Sequence, residues 1–250
     1  MAEIKKQKVK VDDTAAYDIK GANAALTEKI GKQKVYFIAK KVDQHQARTL
    51  LEQKKTKPYK AKNPEEIKIE SVEENYNMFL RVKGKYWITY LRHKHLEVPV
   101  DPNVEGVRVF SEIVDLGEVV EGPKKLKRNV TIDIVEKVYV ENVGDLAFNI
   151  EGNQINTETI SNMPLEEGPS RFVEENQGRI QIAKITPELA IEKLRVLIAR
   201  RPTDVQRILE EVFEIPLVQI ILSPFFVATL NYNEIRKRAF CDAITGKINI

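Results

Sequence analysis

The chain has 250 residues, of which 42% are hydrophobic and 31% charged, and this balance excludes a disordered chain and a protein buried mainly in a bilayer. Its single cysteine, Cys241, excludes an internal disulfide framework and suits a reducing compartment. The net charge is only +3, yet residues 1–62 carry 16 lysines and arginines against seven acids. This basic front favours contact with a polyanion or an acidic protein face, whereas a solvated lysine-rich surface is the simpler interpretation.

No segment has the pattern of a membrane span or a secretory signal. The longest apolar run, Ile215 to Leu230, covers 16 residues and contains two prolines. A membrane-spanning helix needs roughly 20 apolar residues with few interruptions, so we interpret this run as buried strands around a proline-marked bend. The first residues mix lysines with acids and lack an apolar core, and we therefore expect a cytoplasmic protein.

The front of the chain predicts a helix, a strand and a second helix in that order. Ala15 to Ile30 has a weak helical period, and Val35 to Ala39 has the composition of a compact strand. Asp43 can cap a helix that runs through Leu51. The polar stretch 53–65, which contains two prolines, predicts a loop.

A series of strands follows this loop. The apolar segments predict strands at Ile67–Val72, Met78–Val82, Tyr86–Leu91 and Leu96–Val100. Lys83-Gly84-Lys85 has the composition of a tight connection, and Arg92 to His95 has that of a polar hairpin tip.

The middle of the chain differs from both ends. Alternating residues predict half-exposed strands at Val130–Ile134, Lys137–Val140 and Leu146–Ile150. Asn153 to Glu175 is rich in asparagine, threonine, glutamate, serine, glycine and proline, which is typical of a linker.

The last part of the chain begins with a strong helix signal. Thr186-Pro187-Glu188 places a hydroxyl cap, a first-turn proline and an acid where a helix starts. Asp204 to Val212 predicts a second short helix. A strand, a turn, a return strand and a closing turn are then predicted at Phe225–Leu230, Asn231–Glu234, Ile235–Cys241 and Asp242–Ile248.

The order of strand, helix, strands, hairpin and Asp-turn-Gly ending occurs twice, at a separation of about 140 residues. The expected fold class is therefore α+β, with two related helix-plus-antiparallel-sheet units and a β-rich middle region. The expected segments are a basic N-terminal segment (1–33), a first α+β unit (34–110), the β-rich middle (111–152), a linker (153–178) and a second α+β unit (179–250).

The closing segment carries a family resemblance. Cys241-Asp242-Ala243-Ile244-Thr245-Gly246-Lys247-Ile248 resembles the last strand of PepSY-type domains, in which a helix precedes antiparallel strands that end Asp-Ala-x-Thr-Gly-x-Val/Ile. The helix from Thr186 and the following hairpin occur in the matching order, so the resemblance covers residues 180–250. It implies a PepSY-like fold there, in which the aspartate and glycine shape a turn. The extra predicted helix, Asp204–Val212, and the missing export signal depart from the family, so no peptidase-regulating function is carried over.

No catalytic residue and no cofactor are assigned. The chain lacks a phosphate-binding glycine loop, a dinucleotide fingerprint and a nucleophile elbow. Cys241 has cations nearby in sequence, but a buried structural cysteine is far commoner than a reactive one. Asp101 and Asp242 resemble an acid pair, yet an aspartate before a turn usually bonds its own backbone.

Two of the three histidines are weak candidates for metal binding. His93 and His95 are two residues apart, so they share one face of an extended segment and could clamp an ion. The pair needs a third ligand, His45 or Glu97, which the fold would have to bring there. An exposed polar tip is the alternative interpretation, and the neighbouring cations oppose a divalent ion. We therefore assign no metal site.

Two cationic clusters could engage phosphate groups. The candidate nucleic-acid-binding residues are Lys124, Lys125, Lys127, Arg128, Arg92 and Lys94. Aromatic residues interleave only near the second cluster, where Tyr86, Trp87 and Tyr90 could stack on bases. Tyr86 and Trp87 are adjacent on an alternating strand, however, so one of the two must face the core.

These observations favour a non-enzymatic cytosolic binding or adaptor protein that recognises a protein partner through sheet edges and hairpin tips. The support for this expectation is the lack of a catalytic constellation in the sequence. The alternative is a nucleic-acid-associated protein that uses the basic N-terminal region and the 124–128 cluster.

Overall fold

The computed structural model describes residues 14–60, 63–109, 112–114, 116–118, 120–121 and 126–249. Strands make up 52% of these residues and helices 18%. The chain is therefore a β-rich protein built around one large mixed sheet. The expected α+β class with two related helix-plus-antiparallel-sheet units is wrong.

The elements have the following bounds. The strands are β1 (Leu26–Ile30), β2 (Gln33–Ile38), β3 (Lys68–Val100), β4 (Val107–Val109), β5 (Glu112–Val114), β6 (Val120–Glu121), β7 (Leu126–Phe148), β8 (Gln154–Ile155), β9 (Leu165–Glu167), β10 (Ile180–Gln181), β11 (Arg207–Tyr232), β12 (Ile235–Asp242) and β13 (Ile248–Asn249). The helices are α1 (Gln44–Glu52), α2 (Glu158–Ser161), α3 (Phe172–Glu175) and α4 (Pro187–Ile198), with 3-10 turns at Thr14–Tyr17, Lys57–Tyr59, Pro64–Glu66 and Gln177–Arg179. Within the described ranges, no helix has both the length and the apolar character needed to cross a membrane.

The main sheet mixes parallel and antiparallel pairs. Its hydrogen-bonded path runs β13-β12-β11-β3-β7-β6, and further short strands pair along it. β2 lies parallel to β11, with Gln33–Phe37 opposite Val218–Leu222, and β10 lies parallel to β3. β4 and β5 form a separate two-stranded ladder. Parallel strands cannot be joined by a short hairpin, so each pairs with a strand from a distant part of the chain. Two units with purely antiparallel sheets would not contain such pairs.

The expected turns at Lys83–Lys85 and Arg92–His95 do not exist, because β3 continues through both. Burial alternates without a break from Met78 through Gly84 to Tyr90. Gly84 serves a close approach instead of a turn, since a Cβ there would lie 2.7 Å from the carbonyl oxygen of Glu214. The repeat is therefore a likeness of residues without a likeness of structure.

Two other expected helices are also wrong. Asp204 to Val212 leads into β11, which begins at Arg207 and buries Ile208 and Val212. Where a helix was expected from Ala15 to Ile30, the structure has a 3-10 turn and then β1. Their apolar residues follow a helical period only weakly, so pairing with distant strands outweighs this local signal.

The two helices with strong start signals are confirmed. The Asp43 carboxylate accepts a hydrogen bond from the backbone of Gln46, and the Gln46 side chain accepts one from the backbone of Asp43, which closes a capping box on α1. On α4, the Thr186 hydroxyl accepts from the backbone of Leu189, and Pro187 occupies the first turn. Local hydrogen bonding is enough to set both starts.

The closing hairpin is also confirmed. β11 and β12 pair in antiparallel register from Tyr232 opposite Ile235, and the two turn residues Asn233 and Glu234 have φ of 49° and 67°. Two consecutive residues with positive φ are typical of a type I′ turn, whose twist matches the flanking strands. The uninterrupted β11 shows that the apolar run before this hairpin holds one strand and no bend.

The chain divides into two compact units, each assembled from three separated stretches. Unit 1 contains the described residues of Met1–Thr27, Trp87–Glu141 and Arg200–Val212. Unit 2 contains those of Glu28–Tyr86, Asn142–Ala199 and Phe213–Ile250. Both units take part in the long strands β3, β7 and β11.

In unit 2, both long helices pack on sheet residues. Ala47 and Leu51 of α1 join a buried cluster with Phe226 and Cys241. On α4, Leu194 and Ile198 are buried against the sheet at a glycine, Gly144 of β7, which leaves room for them.

Unit 1 holds one buried charged side chain among the described residues. Glu211 is 3% exposed, and the Arg201 guanidinium donates two hydrogen bonds of 2.6 Å to its carboxylate. A two-pronged contact of this kind matches the planar geometry of both groups and compensates the burial of the charge.

Candidate functional site

An open groove lies on one face of the sheet in unit 2, and we call it the sheet groove. Its volume is about 380 Å³, within the range of small binding sites. Ser71, Glu73 and Asn75 of β3 line one part of it, and the 178–181 segment, β11 and β12 line the rest.

The strand register explains which side chains form the floor of the sheet groove. Pairing of β11 with β12 sets Val227 opposite Phe240 and Thr229 opposite Arg238, so these side chains share one face. The rings of Phe225 and Phe240 lie 6.3 Å apart. Phe240 is 37% exposed, a large fraction for an aromatic ring of a strand. Phe240 therefore offers apolar surface in a groove whose lining is otherwise mostly polar.

Two arginines border this floor. Arg238 comes from β12, and Arg179 comes from the turn before β10, which the parallel pairing of Ile180 with Tyr76 brings alongside β3. Neither guanidinium forms an ion pair with any carboxylate in the described ranges, whereas nearby Arg236 lies 2.9 Å from Glu70. The sheet groove thus combines apolar surface with two cations available to an anionic group.

The cluster predicted at residues 124–128 to bind nucleic acid lies only partly within the described residues. Lys124 and Lys125 lie outside the described residues, and the side chain of Lys127 does too. The Arg128 guanidinium donates to the carbonyl oxygens of Gly117 and Val104, at 3.0 and 2.9 Å. Its donors therefore serve the local backbone.

Arg92 and Lys94 are engaged by carboxylates of unit 1. Arg92 donates to Glu136 at 2.6 Å and to Asp204 at 2.5 Å, and Lys94 lies 3.6 Å from Glu136. Hydrogen bonds from the Arg92 guanidinium hold the pKa of both carboxyl groups below their ordinary values. Tyr90 also donates to Asp204, at 3.2 Å. This pairing leaves little positive charge for phosphate.

The candidate metal ligands meet a third group that sequence analysis did not name. His93 and His95 lie with Asp133 of β7, and their ligand atoms are all within 4.8 Å of one another. Glu97 instead accepts a hydrogen bond from Asn129 at 3.3 Å. His45 lies on α1 in unit 2.

The other singled-out groups have structural roles. Cys241 is fully buried, and burial raises the pKa of its thiol, which opposes reactivity. The carboxylate of Asp242 accepts from the backbone N–H groups of Ile244 and Thr245, and that of Asp101 accepts from Asn103. The interpretation of both aspartates as turn residues is confirmed.

Sequence patterns contain part of the signal for the sheet groove. Arg238 and Phe240 are two residues apart on the predicted return strand, so period-2 spacing predicts that their side chains share one face. The position of Arg179 could not be predicted from the sequence, because only the pairing of β10 with β3 brings this residue to the sheet groove.

No family model, curated protein or solved structure matches the chain. The PepSY resemblance of residues 180–250 therefore stays a prediction. Function has to be argued from the site itself.

Proposed function

We propose that this chain is a non-enzymatic cytoplasmic binding protein whose sheet groove holds a segment of a partner protein. The supporting observation is the exposed Phe240 beside Arg179 and Arg238, two cations without a carboxylate partner in the described ranges. An exposed aromatic residue next to arginine is a combination enriched in protein interfaces.

The chemistry of the sheet groove defines the partner. Its two arginines outnumber its one acid, Glu73, so the complementary ligand carries negative charge. The exposed ring of Phe240, beside the partly buried Val227, provides contact for apolar side chains of that ligand. The expected ligand is an extended peptide segment in which Asp or Glu is interspersed with aliphatic or aromatic residues.

A peptide array with the purified chain tests this proposal. The array presents peptides that combine acids with apolar residues, together with matched peptides in which amides replace the acids. We expect binding to the acidic set only, and fluorescence polarisation of the best peptide should show at least about tenfold weaker binding for Arg238→Glu, since charge reversal adds repulsion. Phe240→Ser should weaken binding as well.

The matched control is Arg171→Glu, which changes an exposed arginine of the same unit that does not line the sheet groove. It should leave peptide binding unchanged. Equal losses for Arg171→Glu and Arg238→Glu, or no acidic peptide bound at all, would refute the proposal.

Single-stranded RNA and DNA oligonucleotides form the second arm of the experiment. Binding that falls steeply with salt and is insensitive to Arg238→Glu would support the nucleic-acid alternative instead. The engagement of Arg92 and Arg128 by protein groups favours the peptide outcome.

A further inference from the structure

We propose that His93, His95 and Asp133 form a binding site for a divalent transition metal of the Zn²⁺ type. Of the residues the structure describes, these make up the one group of three potential metal ligands that lie close together. The site belongs to unit 1 and is independent of the sheet groove.

Two adjacent strands bring the three ligands together. His93 and His95 project from the same face of β3, and their rings meet edge to face with centroids 4.8 Å apart. On β7, Asp133 contacts the Nδ1 atom of His95, while Glu136 contacts Arg92, so partners run in opposite order along the two strands. The ligand set is therefore held by a strand pair and not by a loose loop.

The cations next to the histidines do not oppose a metal ion. Arg92 and Lys94 reach Glu136, and Arg92 also reaches Asp204, whereas His93 and His95 reach each other and Asp133. The contacts place the cations on one face of β3 and the histidines on the other. Glu136 and Asp204 also neutralise much of that positive charge, so the field at the histidines favours a cation more than the sequence indicates.

The donor set selects the class of ion. Two imidazoles and one carboxylate suit Zn²⁺, Co²⁺, Ni²⁺ and Cu²⁺, whereas Ca²⁺ and Mg²⁺ prefer oxygen ligands alone. Ligand atoms within 4.8 Å of one another need only small side-chain rotations to reach bonding distance of about 2.1 Å from one ion. His95 and Asp133 can make these rotations because their side chains are 66% and 61% exposed.

Bound metal would join β3 to β7 and keep a coordination position for water. Three protein ligands around tetrahedral Zn²⁺ leave one place open. Because the ion would bind the folded chain and not the dispersed ligands of the unfolded one, it should raise the melting temperature.

Isothermal titration of ZnCl₂ into the full chain without an affinity tag tests the proposal. We expect saturable binding of one ion, and at least about tenfold weaker binding in each of His93→Ala, His95→Ala and Asp133→Asn, since the first two remove a ligand and the third replaces an anionic ligand by a neutral one. His45→Ala is the matched control, because it removes the remaining histidine, and it should bind as the unchanged chain does. Melting curves in EDTA check that every variant is folded.

Co²⁺ supplies a second measurement that a purely structural role would not affect. The visible absorption of Co²⁺ should become more intense when the unchanged chain is added, because tetrahedral coordination strengthens these bands. The Asp133→Asn variant should not produce this increase. No saturable Zn²⁺ binding, or an affinity that the three ligand variants and His45→Ala share equally, would overturn the proposal.

Discussion

Replacement of Gly144 by alanine probes how closely α4 approaches the sheet. A Cβ at this position would lie 2.6 Å from Cδ1 of Leu194 and 2.7 Å from Cγ2 of Ile198. Carbon atoms pack favourably at roughly 3.5–4.0 Å, so both contacts require a shift of about 1 Å. Leu194 is fully buried and Ile198 is 3% exposed, which leaves them little free space to move into.

The expected cost follows from these contacts. Overpacking a filled site costs typically about 1–3 kcal/mol. Loss of a glycine from the unfolded chain returns about 0.4–1 kcal/mol. We therefore expect Gly144→Ala to lower the free energy of unfolding by about 1–2 kcal/mol, which corresponds to a fall in melting temperature of several degrees for a protein of this size.

Urea denaturation followed by circular dichroism, together with thermal melting, measures this change. Gly178→Ala is the matched control, because nothing lies within 4 Å of a Cβ placed there, and it should be neutral or slightly stabilising. Shortening the opposing side chain should relieve the clash, so Gly144→Ala should cost less in a Leu194→Ala background. If Gly144→Ala proved as stable as Gly178→Ala, the close packing of α4 on β7 would be refuted.

Two further predictions concern the closing hairpin and the half-buried hydroxyl of Tyr76. Glu234→Gly should stabilise the chain by about 0.5–1 kcal/mol, because φ of 67° strains a residue with a Cβ. Asn233→Gly should stabilise it less, since asparagine tolerates this region of φ. Equal gains in free energy of unfolding, measured by urea titration, would contradict the reasoning. Burial, followed by the charge of Glu74, raises the pKa of Tyr76 to about 12. A raised pKa gives stability that is complete below the unfolded value of about 10 and is lost as pH rises towards 12. The free-energy difference between the unchanged chain and Tyr76→Phe should thus shrink over this interval, and parallel curves would disprove the assignment.

Local signals correctly located several elements because short-range hydrogen bonds decide them. The caps Asp43 and Thr186 bond backbone groups three residues ahead, and Asp242 bonds those two and three residues ahead. The turn at Asn233 and Glu234 is likewise set by adjacent residues. Because the donor and the acceptor of these hydrogen bonds lie within three residues of each other, a short stretch of sequence contains the whole signal.

Strand continuity could not be obtained in the same way. The Lys-Gly-Lys stretch around Gly84 has turn composition, yet the glycine faces the backbone of Glu214, more than a hundred residues away. A glycine needed for a turn and one needed for close approach look alike in sequence. This ambiguity divided β3 at Gly84, and the polar composition of Arg92 to His95 divided it again. The two false turns together produced the apparent duplication.

The candidate sites show the same division. The sequence by itself determined that His93 and His95 share a face and that Arg238 and Phe240 alternate with buried positions, because strand periodicity is local. Only the tertiary structure placed Asp133 beside His95, Arg179 at the sheet groove, and Glu136 beside Arg92. Each of these depends on which strands pair and in which register, and that choice is made by the burial of apolar faces across the whole sheet.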